Sequence, residues 1–430
     1  MKTIRIGRGK LAVVSRLVAA VCALTVTPVG ANAFGETERG QGGSPCEQYL
    51  TQAGVIEGDR TPDGDAITPT TGPDGKSTPV ILVHGWTGEA KHTSHRPQDG
   101  ASRFSMYVDR VADGAGGYTL PDKDVSSSFV GMIEQIPGAV PFMFDYEAVN
   151  THWVSDPHIG RKLAQGIECV TKHYGTKAIV VGHSMGGLAT REALAQTGED
   201  GKRIADRVAH VITFGTPNEG SAVLKLGYDA IDTSLWVPGV NIVTGITKLV
   251  LRHCAEVTDL TGKDCLGMAG ALYSEGARAM EPGSAQLAAL PPFPAGVAYT
   301  ALAGDIQIGG VSLFGFNSKR LVDIGDIAVP HASALAGSTD RMTASCEYAI
   351  AAIGSHRHRV SLAQRLEGMR PTHQFTPRVR DHEIASPCFH NNLMSEVGLV
   401  TKALGVISEV ASRPTSVTDA ADKETIDAAL

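Results

Sequence analysis

Along the middle of the chain, short runs of apolar, β-branched residues alternate with stretches whose apolar positions recur at helical spacing. Residues 80–83 (VILV), 140–146 (VPFMFDY), 179–181 (IVV), 208–214 (VAHVITF) and 297–303 (VAYTALA) have the length and composition of strands buried on both faces. Between them, residues 129–136 look helical. Residues 153–174 contain a helix with Leu163, Ile167 and Val170 on one face. Leu188, Ala189, Ala193 and Leu194 repeat at helical spacing after the third of these strands, a short helix is expected around residues 104–111, and residues 397–410 form an amphipathic last helix. Strand and helix units in this alternation predict an α/β fold: a mostly parallel central sheet flanked by helices.

Four stretches depart from the rhythm. Residues 34–78 are rich in Gly, Pro, Thr and Asp and are expected to form an extended N-terminal arm. Residues 218–290 lie between two sheet strands, are too long for a simple crossover, and carry apolar residues such as Leu224, Tyr228, Trp236, Ile242, Ile246 and Leu249. They read as a helical cap or lid inserted in the domain that spans 79–411, with an apolar surface suited to an acyl chain. Residues 355–382 are basic and polar. The run His356-Arg357-His358-Arg359 reads as a solvated loop, since no acid or cysteine stands at ligand spacing. The tail, 412–430, is polar.

The first 33 residues are of another kind. Lys2, Arg5, Arg8, Lys10 and Arg16 precede a mostly apolar run at 17–27, no acid occurs before Glu36, and Ala31-Asn32-Ala33 has the small-x-small form of a signal-peptidase site. A secretory signal peptide cleaved after Ala33 is expected; its apolar run is too short to span a bilayer well. Loss of those five basic residues takes the formal charge from −7 to −12. That balance argues against binding nucleic acid or anionic membranes by bulk charge. Of the 7 cysteines, Cys22 leaves with the leader. The six that remain suggest three disulfides in an exported protein, expected as Cys254–Cys265, Cys346–Cys388 and Cys46–Cys169. No C-x-x-C occurs, so a zinc site is not expected.

The candidate chemistry centres on residues 177–188 (KAIVVGHSMGGL). Gly182-His183-Ser184-Met185-Gly186 fits G-x-S-x-G, set between a strand and a helix, the context of a nucleophile elbow. Small residues at 182 and 186 allow a sharp turn that lifts the Ser184 hydroxyl clear of the sheet, with the helix N-terminus behind it. Upstream, the 80–83 strand ends in His84-Gly85-Trp86. In a serine hydrolase of this architecture such a loop supplies one oxyanion-hole amide. Gly85 is read as permitting an unusual backbone angle, and the expected donors are the Trp86 and Met185 amides.

Four segments together give the chain a family likeness: VHGW at 83–86, GHSMGG at 182–187, TFGTPNEGS at 213–221 and GDIAVPHASAL at 325–335. Over roughly residues 79–410 the chain resembles the secreted bacterial triacylglycerol lipases and esterases of the α/β-hydrolase superfamily. The family tends to have Gly-Asp-Gly-x-Val-Pro before its Ser-Ala pair and Thr-Pro-His after its sixth strand; here Ile327 and Asn218 stand at those points. The resemblance implies a Ser-Asp-His constellation in that chain order, with Ser184 as nucleophile, Asp326 as acid and His390, in its C-x-H-x-x-L setting, as base. Read from the residues alone, Asp305, taken to follow a strand directly, and Asp323 also qualify as the acid, and His373 and His382 as the base. The implied activity is cleavage of acyl esters, acylglycerols above all, through an acyl-enzyme. No metal or cofactor is needed, and the implied partner is an ester lipid met at a transient lipid interface. Acyl transfer through the same residues, or non-catalytic lipid binding on the same scaffold, remain open readings.

Overall fold

The computed structural model of this 430-residue chain describes residues 46–53, 72, 75–88, 103–106, 108, 111–112, 118–119, 128–221, 271, 274–309, 312–313, 316–317, 320–323, 325–349, 352–353 and 386–417. The expectations for the leader, for most of the arm and of the 218–290 insertion, for the 355–382 loop, for the tail beyond 417 and for Cys254–Cys265 fall outside the described residues.

Eight strands form one sheet: β1 (Thr51–Gln52), β2 (Thr78–Val83), β3 (Ala139–Phe144), β4 (Ala178–His183), β5 (Val208–Phe214), β6 (Ala298–Gly309), β7 (Arg320–Asp323) and β8 (Asp340–Ala349). Their order is β1-β3-β2-β4-β5-β6, with β7 and β8 both paired to β6. The pairs β3–β2, β2–β4, β4–β5, β5–β6 and β6–β8 are parallel, and only β1–β3 and β6–β7 are antiparallel. Parallel neighbours require crossovers. Helices α1 (Phe129–Glu134), α2 (Lys162–Tyr174), α3 (Met185–Leu194), α4 (Glu275–Ala279), α5 (Ala285–Ala289), α6 (His331–Leu335) and α7 (Val397–Ser412) lie along the connections and the C-terminal stretch.

Period-two alternation sends successive side chains of each strand to opposite faces, and both faces are covered. Ile81, Val83, Phe142, Phe144, Val180 and Val211 pack with Leu163, Ile167 and Val170 of α2 and Leu188 and Ala189 of α3. Val80, Leu82, Met143, Ile179, Val181, Ile212 and Phe214 pack with Phe129 and Ile133 of α1 and Leu399, Ala403 and Ile407 of α7. Each such Val, Leu, Ile, Phe or Met side chain contributes about 1.5–3 kcal/mol on burial, which explains why these strands read as continuous apolar runs. Local signals delimit the helices. The Ser128 hydroxyl accepts from Gly131 N–H at the start of α1, Gly175 ends α2 at φ +68°, and the Glu396 carboxylate accepts from Leu399 N–H at the start of α7.

The structure corrects three sequence expectations. Among the described residues, the helix expected around 104–111 is represented by a 3-10 turn at Arg103–Ser105, and Val111–Ala112 is a short strand. The strand expected at 297–303 continues to Gly309, so Asp305 lies inside β6 rather than beyond its end. Strand β8 was not anticipated: Arg341 and Met342 on it are exposed, so it lacks the apolar run that marks a buried strand.

Two of the expected disulfides are present. Cys46–Cys169 ties the arm to α2, and Cys346–Cys388 joins β8 to the segment before α7, with Cα separations of 5.7 and 6.1 Å. Among the described residues no helix is long and apolar enough to cross a membrane.

Candidate active site

Ser184 stands between β4 and α3 at φ 54°, ψ −128°. Such a conformation on a non-glycine residue costs on the order of 1–3 kcal/mol and persists only where its surroundings impose it. Here they do. The Ser184 N–H donates to the Phe214 carbonyl at 2.9 Å, and the Thr216 hydroxyl donates to the Ser184 carbonyl at 2.9 Å. The strain falls on the serine itself, because neither Gly182 nor Gly186 has positive φ. Those two are glycines for want of space: a Cβ on Gly182 would lie 2.6 Å from Gly187 N, and one on Gly186 2.2 Å from the Val83 carbonyl oxygen. The elbow is thereby pressed onto the end of β2.

Asp326 and His390 meet at the same end of the sheet. His390 Nδ1 lies 2.7 Å from Asp326 Oδ2, and both residues are buried. The other carboxylate oxygen, Oδ1, accepts from Val329 N–H at 2.6 Å. The main chains are also joined, His390 N–H donating to the Asp326 carbonyl at 3.0 Å. A carboxylate that accepts from Nδ1 leaves Nε2 of a neutral imidazole as the acceptor. Gly215 links this pair to the elbow: a Cβ there would lie 2.8 Å from Asp326 Oδ2 and 2.9 Å from His390 Nδ1, while its neighbours Phe214 and Thr216 hold Ser184. The His183 ring lies 4.7 Å from that of His390, and its Nε2 is 3.1 Å from the His390 carbonyl. Ser184, Asp326 and His390 thus gather beyond the C-terminal ends of the central strands, where open α/β sheets bind ligands.

Ile327 explains how the Asp326 turn departs from the resembled pattern. It has φ +77°, a region where glycine is at ease and a β-branched residue is an outlier. The position where the resembled pattern has glycine thus carries a backbone conformation suited to glycine, with Ile327 packed partly into the second core. Ile327→Gly should therefore leave unfolding stability within about 1 kcal/mol, relief of strain offsetting lost burial. Denaturant unfolding checks this, and a loss of about 3 kcal/mol would mean that no strain is stored there.

The loop after β2 is a tight turn. Gly88 N–H donates to the Gly85 carbonyl at 2.9 Å, and Thr87 has φ 53°. Gly85 is not at positive φ, contrary to the sequence reading; it is glycine because a Cβ would lie 2.7 Å from Ser184 Cβ and 3.3 Å from its Oγ. His84 is buried and stacks on Tyr146, with centroids 3.9 Å apart and planes 9° apart. Its Nε2 accepts from Tyr146 N–H at 3.2 Å, so Nδ1 carries the proton and donates to the Gly85 carbonyl at 3.0 Å. Burial pushes the Tyr146 phenol well above its usual range, and its hydroxyl donates to the His84 carbonyl at 2.6 Å. The Gly85 carbonyl and Trp86 N–H share one trans peptide plane and point oppositely. Two donors on that carbonyl therefore fix the direction of the Trp86 amide, which donates to no backbone carbonyl among the described residues. Met185 opens α3, where the N–H has no intrahelical acceptor.

The other candidates lie elsewhere. Asp305 is buried in β6, where its Oδ2 accepts from Gln307 Nε2. Asp323 is on β7, opposite Gln307 of β6. His373 and His382 are outside the described residues. Asn218 donates to the Tyr299 hydroxyl at 3.0 Å and gives its carbonyl to Arg191. Arg191 of α3, its guanidinium pushed below its usual range by burial, also donates to the Leu290 and Pro291 carbonyls, so it clamps both flanks of the 219–289 stretch. Sequence reasoning did not single out Thr216, Gly215, Tyr146 or Asn150, nor the contacts of His84 and His183. His84, His183, Gly215 and Thr216 stood inside motifs and Tyr146 at the end of an expected strand, while Asn150 carried no signal.

Residues 156–228, which carry α2, the elbow and β5, match the family model for Lecithin:cholesterol acyltransferase. Among solved structures the chain is similar to a Bacillus licheniformis lipase, BlEst2 in mature form, at 17% identity over 65% of this chain and 88% of that one, with a TM-score of 0.36. Aspergillus fumigatus lipase B aligns at 13% identity over 80% and 66%, TM-score 0.33, and EstA from Clostridium botulinum at 15% over 63% and 69%, TM-score 0.30. No curated protein matches the chain. Its own strand order, with β2 between β3 and β4 and a strand–serine–helix elbow at the sheet centre, is the ground for the assignment: this chain has the α/β-hydrolase fold.

Proposed function

We propose that this chain is a secreted serine ester hydrolase, a lipase or esterase, in which Ser184, His390 and Asp326 act as nucleophile, base and acid. The fold and the family-model match support ester hydrolysis or acyl transfer in general. The observation that carries the finer reading is the buried 2.7 Å contact between His390 and Asp326 beside a strained Ser184.

In this reading His390 Nε2 takes the Ser184 hydroxyl proton as Oγ attacks the ester carbonyl, and Asp326 stabilises the imidazolium that forms. The Trp86 and Met185 amides receive the oxyanion of the tetrahedral intermediate; losing one such donor costs about 3 kcal/mol of barrier. His390 returns its proton to the leaving alcohol, and a water, deprotonated by the same imidazole, releases the acid and restores Ser184. The substrate is an ester lipid. Export is supported by the basic and apolar leader together with two disulfides.

A fluorophosphonate probe tests the reading directly. Stoichiometric labelling, mapped by mass spectrometry to Ser184, is expected, together with turnover of p-nitrophenyl esters of rising chain length and of emulsified triglyceride. No labelling at Ser184 would refute it and leave a binding protein. The name of the matching family model favours one second reading, acyl transfer. A sterol or long-chain alcohol added to the assay would then divert product from free acid to ester.

A further inference from the structure

We propose that Ser274 is a positioning residue for the oxyanion-binding amide of Trp86, acting through the indole ring. The inference rests on the role given to Trp86 above. The turn that carries this amide is held on three sides. His84 and Gly88 fix the Gly85 carbonyl before it. Asn150 fixes the residues after it, its carbonyl accepting from Thr87 N–H at 3.4 Å and its Nδ2 donating to the Gly88 carbonyl at 2.8 Å. Trp86 itself is held by its side chain: the half-buried ring packs on the first core, and Nε1–H donates to Ser274 Oγ at 3.2 Å.

Ser274 is a firm anchor for that bond. Its hydroxyl also caps α4, accepting from Ala277 N–H at 3.3 Å. Helix α4 is seated on the turn that carries Asn150. Gly276 N–H donates to the Thr151 carbonyl at 2.8 Å, and a Cβ on Gly276 would lie 2.7 Å from the His152 carbonyl. Beyond α4, the Met280 carbonyl accepts from Ser221 N–H at 2.8 Å. The oxyanion turn, the 150–152 turn and the 274–280 segment are thus one knot, although they lie far apart in sequence. An indole pinned at its ring nitrogen limits the rotation of Trp86 about its own backbone, and so the aim of its amide. A hydrogen bond that aims an oxyanion donor acts on the transition state more than on the ground state, so it should appear in kcat rather than KM.

The test is a double-mutant cycle on the full chain: wild type, Trp86→Phe, which keeps the amide and removes the indole N–H, Ser274→Ala, and the pair. Steady-state kinetics on p-nitrophenyl butyrate and the rate of fluorophosphonate labelling are read together. Each single change is expected to lower kcat about fivefold with KM moved by less than about twofold, and the pair to be no slower than the slower single. Ser274→Thr, which retains the hydroxyl, should restore kcat. If the two effects multiply, or if Ser274→Ala leaves kcat unchanged, Ser274 serves only as a helix cap and the proposal is wrong. Should Ser274→Ala not fold, Ser274→Gly removes the same oxygen with little loss as a cap and takes its place. Turnover of the same ester within tenfold of wild type by a Ser184→Ala protein would instead overturn the reading of Ser184 as nucleophile on which this inference rests.

Discussion

Ser184→Ala is expected to lower kcat for ester hydrolysis by about six orders of magnitude and to unfold at the wild-type denaturant concentration. The loss is large because attack needs an oxygen nucleophile at that point, and every other part of the site acts through it. Folding should be spared because the bonds that hold residue 184 are made by its main chain, to Phe214 and from Thr216, and alanine keeps both. Alanine also keeps the Cβ that packs against Gly85 and bears the same positive φ. Residual turnover above the uncatalysed rate is expected from the oxyanion amides alone. Turnover within tenfold of wild type, measured with freshly purified protein and an active-site titrant, would show that the elbow is not the seat of the chemistry.

Asp326→Asn should cut kcat by about ten-thousandfold with little change in fold. The reason lies in the two oxygens. Val329 N–H, 2.6 Å from Oδ1, requires an acceptor there, so the asparagine amide turns its carbonyl to Val329 and its NH2 to His390. Facing a donor, His390 Nδ1 gives up its proton, and Nε2 then carries it and cannot receive one from Ser184. The geometry survives and the tautomer is wrong. The companion change Asp305→Asn should leave kcat within about threefold, since Asp305 bonds Gln307 inside β6. A mild effect at 326 beside a severe one at 305, under the same assay, would move the acid to Asp305.

Much of this architecture was legible from local pattern. Strand β5 occupies the very residues of the VAHVITF run, and β2 and β4 extend their apolar runs by two or three residues, because a strand buried on both faces has little freedom in composition. The pairing of Cys46 with Cys169 and of Cys346 with Cys388 was anticipated as well. What escaped is what periodicity does not encode. Strand β8 exposes Arg341 and Met342, on opposite faces, and so hides its pattern. Asp305 looked like a strand-end residue because the apolar run stops at Ala303, yet Gly304 is in mid-strand, where a Cβ would lie 2.2 Å from the Cys388 carbonyl. Gly182 and Gly186 were read as small residues in a turn with no room for a Cβ, as they are, whereas Gly85, read as a source of backbone freedom, is small because Ser184 touches it. The contacts that orient the Trp86 amide join residues near 85, 150 and 275. Nothing in any one of those stretches announces the other two.

The Cys346–Cys388 bond has a consequence for when the protein can work. Cys388 stands two positions before His390, and its carbonyl lies over the bare backbone of Gly304. The sulfur bridge is therefore a mooring for the imidazole. A newly made chain still in a reducing cytosol would hold free thiols at both positions, leaving His390 to its bonds with Asp326 and His183. On the proposal that the chain is exported, oxidation would complete that fastening only once the chain has left the cytosol.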